Sequence, residues 1–117
     1  MADDRPKSAN TPDDAERFDI ELVHLDGHAV LALRGDLDLS TSARLAEAAQ
    51  LVHAQGVATL IFDLAGLVFV DSSGLREFVV ALKGSRQLGG DVILKAPSRQ
   101  VLRVLEIVGM TDMFTLA

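Results

Sequence analysis

The sequence predicts a single α/β domain built on a mixed, mostly parallel β-sheet, and three observations predict it. Short apolar runs of strand length alternate with segments whose apolar residues recur at helical spacing, the pattern that feeds a parallel sheet through helical crossovers. One pair of strands is joined instead by Asp26-Gly27, a tight hairpin signal that adds one antiparallel pair. A length of 117 residues with 49% hydrophobic content suits one ordinary buried core and leaves no room for a second.

Residues 1–16 hold two of the three prolines, Pro6 and Pro12, together with Asp3, Asp4, Asp13 and Asp14, and almost nothing apolar. Such a segment cannot bury enough surface to order itself, so it reads as a disordered N-terminal tail preceding a domain over 17–117. From Phe18, the residues Phe18, Ile20 and Leu22 alternate with Asp19, Glu21 and Val23, which predicts a half-buried strand. Beyond Asp26-Gly27, Ala29-Val30-Leu31-Ala32-Leu33 is apolar enough for an interior strand, and Gly35-Asp36-Leu37-Asp38 closes it. Ser40 or Thr41 can cap a helix in which Leu45, Ala48, Ala49 and Val52 share one face, and Gly56 ends that helix.

Thr59 to Leu64 is a second buried strand, followed by a short apolar loop. Leu75, Phe78, Val79 and Leu82 then follow the i, i+3, i+4, i+7 rule of a helix packed on a sheet. Gly89-Gly90 turns the chain into a short strand, Val92-Ile93-Leu94. Pro97-Ser98 opens a last helix with Val101, Leu102, Leu105 and Val108 on one face and Gly109 as its stop. The expected order is β-β-α-β-α-β-α.

Composition narrows the function. All aromatic residues are Phe and they make up only 4%, so there is no aromatic platform for stacking bases. A net charge of −6 without a Lys/Arg cluster argues against a nucleic-acid backbone and favours a basic partner surface. The absence of Cys excludes a disulfide framework and a thiol nucleophile and is compatible with the cytoplasm. No apolar run is long enough to cross a bilayer as a helix, and the Asp-rich start does not resemble a secretory signal, so no membrane association is expected.

The most informative residues are Asp71-Ser72-Ser73-Gly74-Leu75, where the apolar run Leu67-Val68-Phe69-Val70 meets a helical pattern. Asp is a favourable N-cap, and serines commonly follow in the first turn, so helix capping alone would account for these residue types. Their position also permits a second role. The first N–H groups of a helix lack intrahelical partners and the peptide dipoles add positive potential there, so a phosphate on Ser72 would be tolerated.

The whole stretch Leu64-Ala65-Gly66-Leu67-Val68-Phe69-Val70-Asp71-Ser72-Ser73-Gly74-Leu75 closely resembles the phosphorylation-loop signature of the STAS-domain anti-sigma factor antagonists. The resemblance extends from Phe18 to Phe114 and implies the STAS fold, whose sheet carries its helices mainly on one face. It implies Ser72 as phosphoacceptor, with Asp71, Ser73 and Gly74 around it at a partner-binding surface. Gly35-Asp36-Leu37-Asp38 fits the family's Gly-acidic-apolar-Asp loop and implies a partner contact for Asp38. The implied partners are an anti-sigma factor that is also an ATP-dependent serine kinase, and a serine phosphatase. ATP and magnesium would belong to the kinase, and the chain itself would be a non-catalytic cytoplasmic switch with no cofactor. Arg76 stands where the family often has a small residue, and the chain stops just after Phe114, which shortens any final helix.

Other chemistries fit the residues poorly. An acyl-transfer nucleophile on a strand-to-helix turn prefers Gly-x-Ser-x-Gly, whereas here Val70 stands in place of the first Gly. His24, His28 and His53 show no spacing that aims one at Ser72, nor a metal-ligand pattern, and read as solvated residues. Asp63 and Lys95 end strands as in a phosphoaspartate receiver, but the acidic pair expected after its first strand is missing. Gly84 and Gly89-Gly90 fall at a helix end and not in a phosphate-cradling loop. Within the STAS fold, the alternative is a non-switching scaffold or a regulatory domain binding a nucleotide or lipid.

Overall fold

The computed structural model describes residues 17–117; the tail expected over residues 1–16 lies outside them. Strand β1 (Phe18–Leu25) and strand β2 (His28–Leu37) form the hairpin around Gly27, whose φ of 74° is the left-handed conformation that such a turn requires. The chain continues through α1 (Ser42–Ala54), β3 (Thr59–Val70), α2 (Ser72–Gln87), β4 (Val92–Lys95), α3 (Arg99–Ile107) and β5 (Thr115–Leu116). The strands lie in the order β1-β2-β3-β4-β5, with β1 antiparallel to β2 and the remaining neighbours parallel. The mixed, mostly parallel sheet is therefore present.

Register decides which face is buried. Ala29, Leu60 and Val92 align across the three central strands, as do Leu31, Phe62 and Leu94, and all six side chains are fully buried. Leu45 and Val52 of α1, Phe78 and Leu82 of α2, and Val101 and Leu105 of α3 join them in one cluster. The Phe62 and Phe78 ring centroids are 5.5 Å apart, and Phe114 meets Phe78 edge-on at 6.4 Å. All three helices thus cover the same face. Val30, Ile61 and Ile93, one residue out of phase, point to the other face and lie outside that core.

Four details differ from the sequence reading. Gly35-Asp36-Leu37 does not close β2 but extends it, and the segment after Leu64 is strand, not loop, because β2 and β3 stay paired as far as Leu37 and Val70. Register shifts between Ala32 and Arg34 and between Gly35 and Asp36 disguise this extension as loop in the sequence. Gly35 is required there: its φ is 93°, and a Cβ would lie 1.8 Å from the Arg17 carbonyl oxygen. Leu22 lies on the helix-covered side, yet it stands towards the hairpin end of an edge strand and is 40% exposed, while Phe18 at the other end of the same strand is buried.

Val108 follows the last turn of α3 and is exposed, so the buried face of that helix ends earlier than its periodicity implies. Strand β5 was not expected at all. Its two residues are too few to carry a period and it exists through pairing: the Ala117 N–H donates to the Leu94 carbonyl (2.9 Å) and the Ala96 N–H to the Ala117 carbonyl (2.9 Å).

Candidate functional site

The C-terminal ends of β2 and β3 bring the residues of interest together. Strand β3 delivers Asp71, in extended conformation, as the N-cap of α2, so the helix starts at Ser72. One carboxylate oxygen of Asp71 accepts from the N–H groups of Ser73 (2.9 Å) and Gly74 (3.2 Å). The other accepts from the N–H of Leu39 (3.2 Å), in the loop after β2. Asp71 therefore caps one element and tethers another.

Ser72, the first residue of α2, is exposed; Ser73 is half-buried and Gly74 buried. A Cβ on Gly74 would lie 2.7 Å from Leu37 Cγ and 2.8 Å from Val70 Cγ2, so only glycine lets the helix start this close to the strand ends. That close approach holds Ser72 at the rim of the β2–α1 loop. The capping pattern modifies one sequence expectation: the Asp71 carboxylate already takes the two N–H groups that a phosphate on Ser72 would use.

Asp38 organises the same loop. Its Oδ1 accepts from the Ser40 N–H (3.0 Å) and hydroxyl (2.7 Å), and its Oδ2 meets the Arg17 guanidinium. The Ser40 hydroxyl holds the carboxyl below its ordinary value, with the Ser40 N–H, Arg17 and the Thr41 hydroxyl acting in the same direction and desolvation opposing them. Thr41 is the N-cap of α1 but makes no side-chain cap bond. Its buried hydroxyl instead donates to the Asp36 carbonyl (2.9 Å) and accepts from the Asp38 N–H (2.9 Å). Asp38 thus has the turn role that the sequence allowed, with both carboxylate oxygens engaged and its side chain 19% exposed.

Asp38, Leu39, Ser40, Phe69 and Asp71 line one open depression beside Ser72. Of these, Leu39 is 79% exposed and Phe69 44%, and Val68, the neighbour of Phe69 on β3, is 59% exposed. Sequence reasoning missed these three apolar residues as site candidates. The signal was present: Leu67-Val68-Phe69-Val70 is apolar throughout, although only Leu67 and Val70 are buried. The strand end thus leaves two apolar side chains in solvent.

The histidines lie elsewhere. His24 and His28 flank the hairpin at the opposite end of the ten-residue β2, roughly 30 Å from its Leu37 end. His53 is not the solvated residue expected: it is half-buried between α1 and α2, its Nε2 2.8 Å from the buried Ser85 hydroxyl, and burial lowers its pKa. No base therefore stands near Ser72 from this set. Among the described residues no group of three or more acidic or histidine side chains is placed to hold a metal, and no helix is long and apolar enough to cross a membrane.

Comparison with known proteins gives a consistent picture. A family model for the STAS domain matches residues 19–117. An anti-sigma-B factor antagonist of Listeria monocytogenes is 31% identical over 94 residues, covering 80% of this chain and 82% of that protein. Among solved structures, the anti-sigma factor antagonist SpoIIAA in its unphosphorylated form superposes with a TM-score of 0.68 at 25% identity, covering 86% of each chain. The phosphorylated form of SpoIIAA, from Bacillus, gives 0.66 at 26% identity, covering 86% of this chain and 90% of that one.

Proposed function

This chain belongs to the STAS domain family, and on that premise we propose that it is an anti-sigma factor antagonist switched by phosphorylation of Ser72. Unphosphorylated, it binds an anti-sigma factor that is also an ATP-dependent serine kinase, and a sigma factor is released. The kinase inactivates it by modifying Ser72, and a serine phosphatase restores it. The chain is ligand and substrate in this scheme, acting in the cytoplasm and catalysing nothing. Its relatives named as antagonists, one of them solved with and without phosphate, support the reading.

The observation that carries the proposal is an exposed serine, Ser72, at the start of α2, next to a depression edged by the exposed Leu39 and Phe69. These apolar groups do nothing for the core. They suit a partner surface that closes over them and excludes water, with Asp38 and Asp71 offering acceptors to basic groups on that partner.

Phosphorylation adds roughly −1.5 to −2 charges. Asp71 already occupies the Ser73 and Gly74 N–H groups, which leaves the exposed Arg76, one turn along α2, as the cation nearest in sequence, and the phosphate remains where the docked surface would lie. Leaving a desolvated charge unpaired in an interface costs on the order of 2–5 kcal/mol, and about 2.7 kcal/mol already weakens binding a hundredfold. The switch works at the interface, without refolding the domain.

The test is intact-mass spectrometry with site mapping after incubation with ATP, magnesium and each candidate anti-sigma kinase from the same organism. One phosphate, on Ser72 and absent from Ser72→Ala, is the expected result. Ser72→Ala should bind the kinase constitutively, and Ser72→Asp and Asp38→Ala should bind it more weakly while staying folded. A folded protein that accepts no phosphate from any of them would turn the reading towards a non-switching scaffold or a nucleotide- or lipid-binding STAS domain.

A further inference from the structure

The face of the sheet away from the helices carries an apolar row that the described residues cover only in part: Val30, Ile61 and Ile93 are half-buried and Val23 is exposed. Val23 pairs with Val30 across the hairpin, Val30 aligns with Ile61, and Ile61 with Ile93, so one row crosses β1, β2, β3 and β4. None of these four belongs to the core cluster or packs against it, and Val23 is 49% exposed. The adjoining row on this face runs Glu21, Ala32, Asp63, Lys95 in the same strand order. Its ends are the acidic Glu21 on β1 and the basic Lys95 on β4; between them Asp63 is half-buried, and its Oδ1 accepts from the Ala65 N–H within the chain. Glu21 and Lys95 are both exposed, and neither forms an ion pair among the described residues.

We propose that this face is the interface of a homodimer in which two sheets pack back to back about a two-fold axis running along the strands between β2 and β3. The charge order selects both the occupant and the axis. Rotation about that line lays β1 of one copy over β4 of the other and keeps each row at its own height. Glu21 then faces Lys95 of the second copy and Lys95 faces its Glu21, giving two equivalent ion pairs. The apolar rows stack within them, Val23 over Ile93 and Val30 over Ile61. Face-to-face sheets pack about 10 Å apart with strand directions within about 30°, a separation that Glu and Lys side chains can span from opposite sides.

An in-plane axis across the strands would instead lay β1 on β1, placing Glu21 over the exposed Leu25 without a partner, and would set Lys95 over Asp91, whose carboxylate is already engaged by the Val92 N–H, the Thr115 hydroxyl and Arg86. Self-complementarity of this kind is what an isologous interface demands. Because the axis runs along the strands, both Ser72 sites lie at the same end of the dimer. The helices, the β2–α1 loop and the Leu39–Phe69 depression remain free. The inference does not depend on the phosphorylation switch.

Sedimentation velocity of the full chain over a range of concentrations tests it, with circular dichroism verifying that each variant folds. The wild type should show a concentration-dependent dimer, and Ile61→Asp, outside the core, should be monomeric yet folded. Glu21→Lys and Lys95→Glu should each weaken dimerisation by about tenfold, since each sets like charges together twice, and the double reversal should restore it. Phe69→Asp, at the other surface, should leave the dimer intact. A wild type that stays monomeric at the highest concentration would overturn the proposal. So would a dimer indifferent to Ile61→Asp, or one whose single charge reversals are not rescued by the pair.

Discussion

Replacing Asp71 separates its two structural tasks. Asp71→Ala removes the acceptor for the Ser73 and Gly74 N–H groups and the acceptor for Leu39. Loss of an N-cap costs about 1 kcal/mol, and loss of one further hydrogen bond about 1 kcal/mol more, for a total near ~2 kcal/mol. In a domain of this size each kcal/mol lowers Tm by about 4–8 °C, so the alanine variant should melt roughly 8–16 °C below wild type. Asn is as good an N-cap as Asp, but its single oxygen cannot serve both sides. If the oxygen keeps the helix N–H groups, its amide nitrogen meets the Leu39 N–H donor to donor. Asp71→Asn should therefore lose about 1 kcal/mol, the tether alone.

With neither Trp nor Tyr in the chain, urea unfolding is best followed by far-UV circular dichroism. The slope m should be unchanged while the midpoint falls in the order wild type, Asn, Ala. A loss under about 0.5 kcal/mol for Ala would refute the capping arithmetic. Equal losses for Asn and Ala would refute the division into cap and tether.

Gly74→Ala places a methyl group against Leu37 and Val70 and should destabilise by about 1–3 kcal/mol, despite the better helix propensity of alanine; denaturant midpoints decide, and a variant as stable as wild type would show that the helix start can move away at little cost. The half-buried His53 has a folded-state pKa below its ordinary 6.5, so the unfolded chain binds that proton more tightly. This contribution to stability is present above about 6.5 and is lost as pH falls below it, until the folded histidine also protonates. Thermal melts from neutral to mildly acidic pH should decline less steeply in His53→Gln than in wild type, and parallel declines would remove His53 from the account. Asp38 has the same sense at a lower window, since its depressed pKa withdraws stabilisation only as pH falls below the ordinary carboxylate range; Asp38→Asn should flatten that acid limb of the unfolding curve.

Much of the fold was legible because the periods were clean. Leu45, Val52, Phe78, Leu82, Val101 and Leu105, assigned to helix faces, are all buried, and Asp26-Gly27 forms its hairpin. Where reading failed, a local rule had been overridden by pairing. Irregularities in β2 and β3 broke the alternation that identifies a strand, so their last residues resembled loop. β5 has no pattern of its own, and His53 looks polar until Ser85 meets it across the α1–α2 contact.

The sequence by itself determined the class of fold, the identity of the Asp71-Ser72-Ser73-Gly74 motif and the capping chemistry of Asp71, because these depend on residues near one another in the chain. Only the tertiary structure decided that Asp71 also holds Leu39, that Gly74 must be small to clear Leu37, and that Phe69 stands in solvent beside Asp38. Those relations join residues some thirty positions apart in the chain, through the side-by-side ends of β2 and β3. Local periodicity carries information about which face of an element is apolar, whereas neighbourhood across a sheet is set by strand order and register, which no single segment encodes.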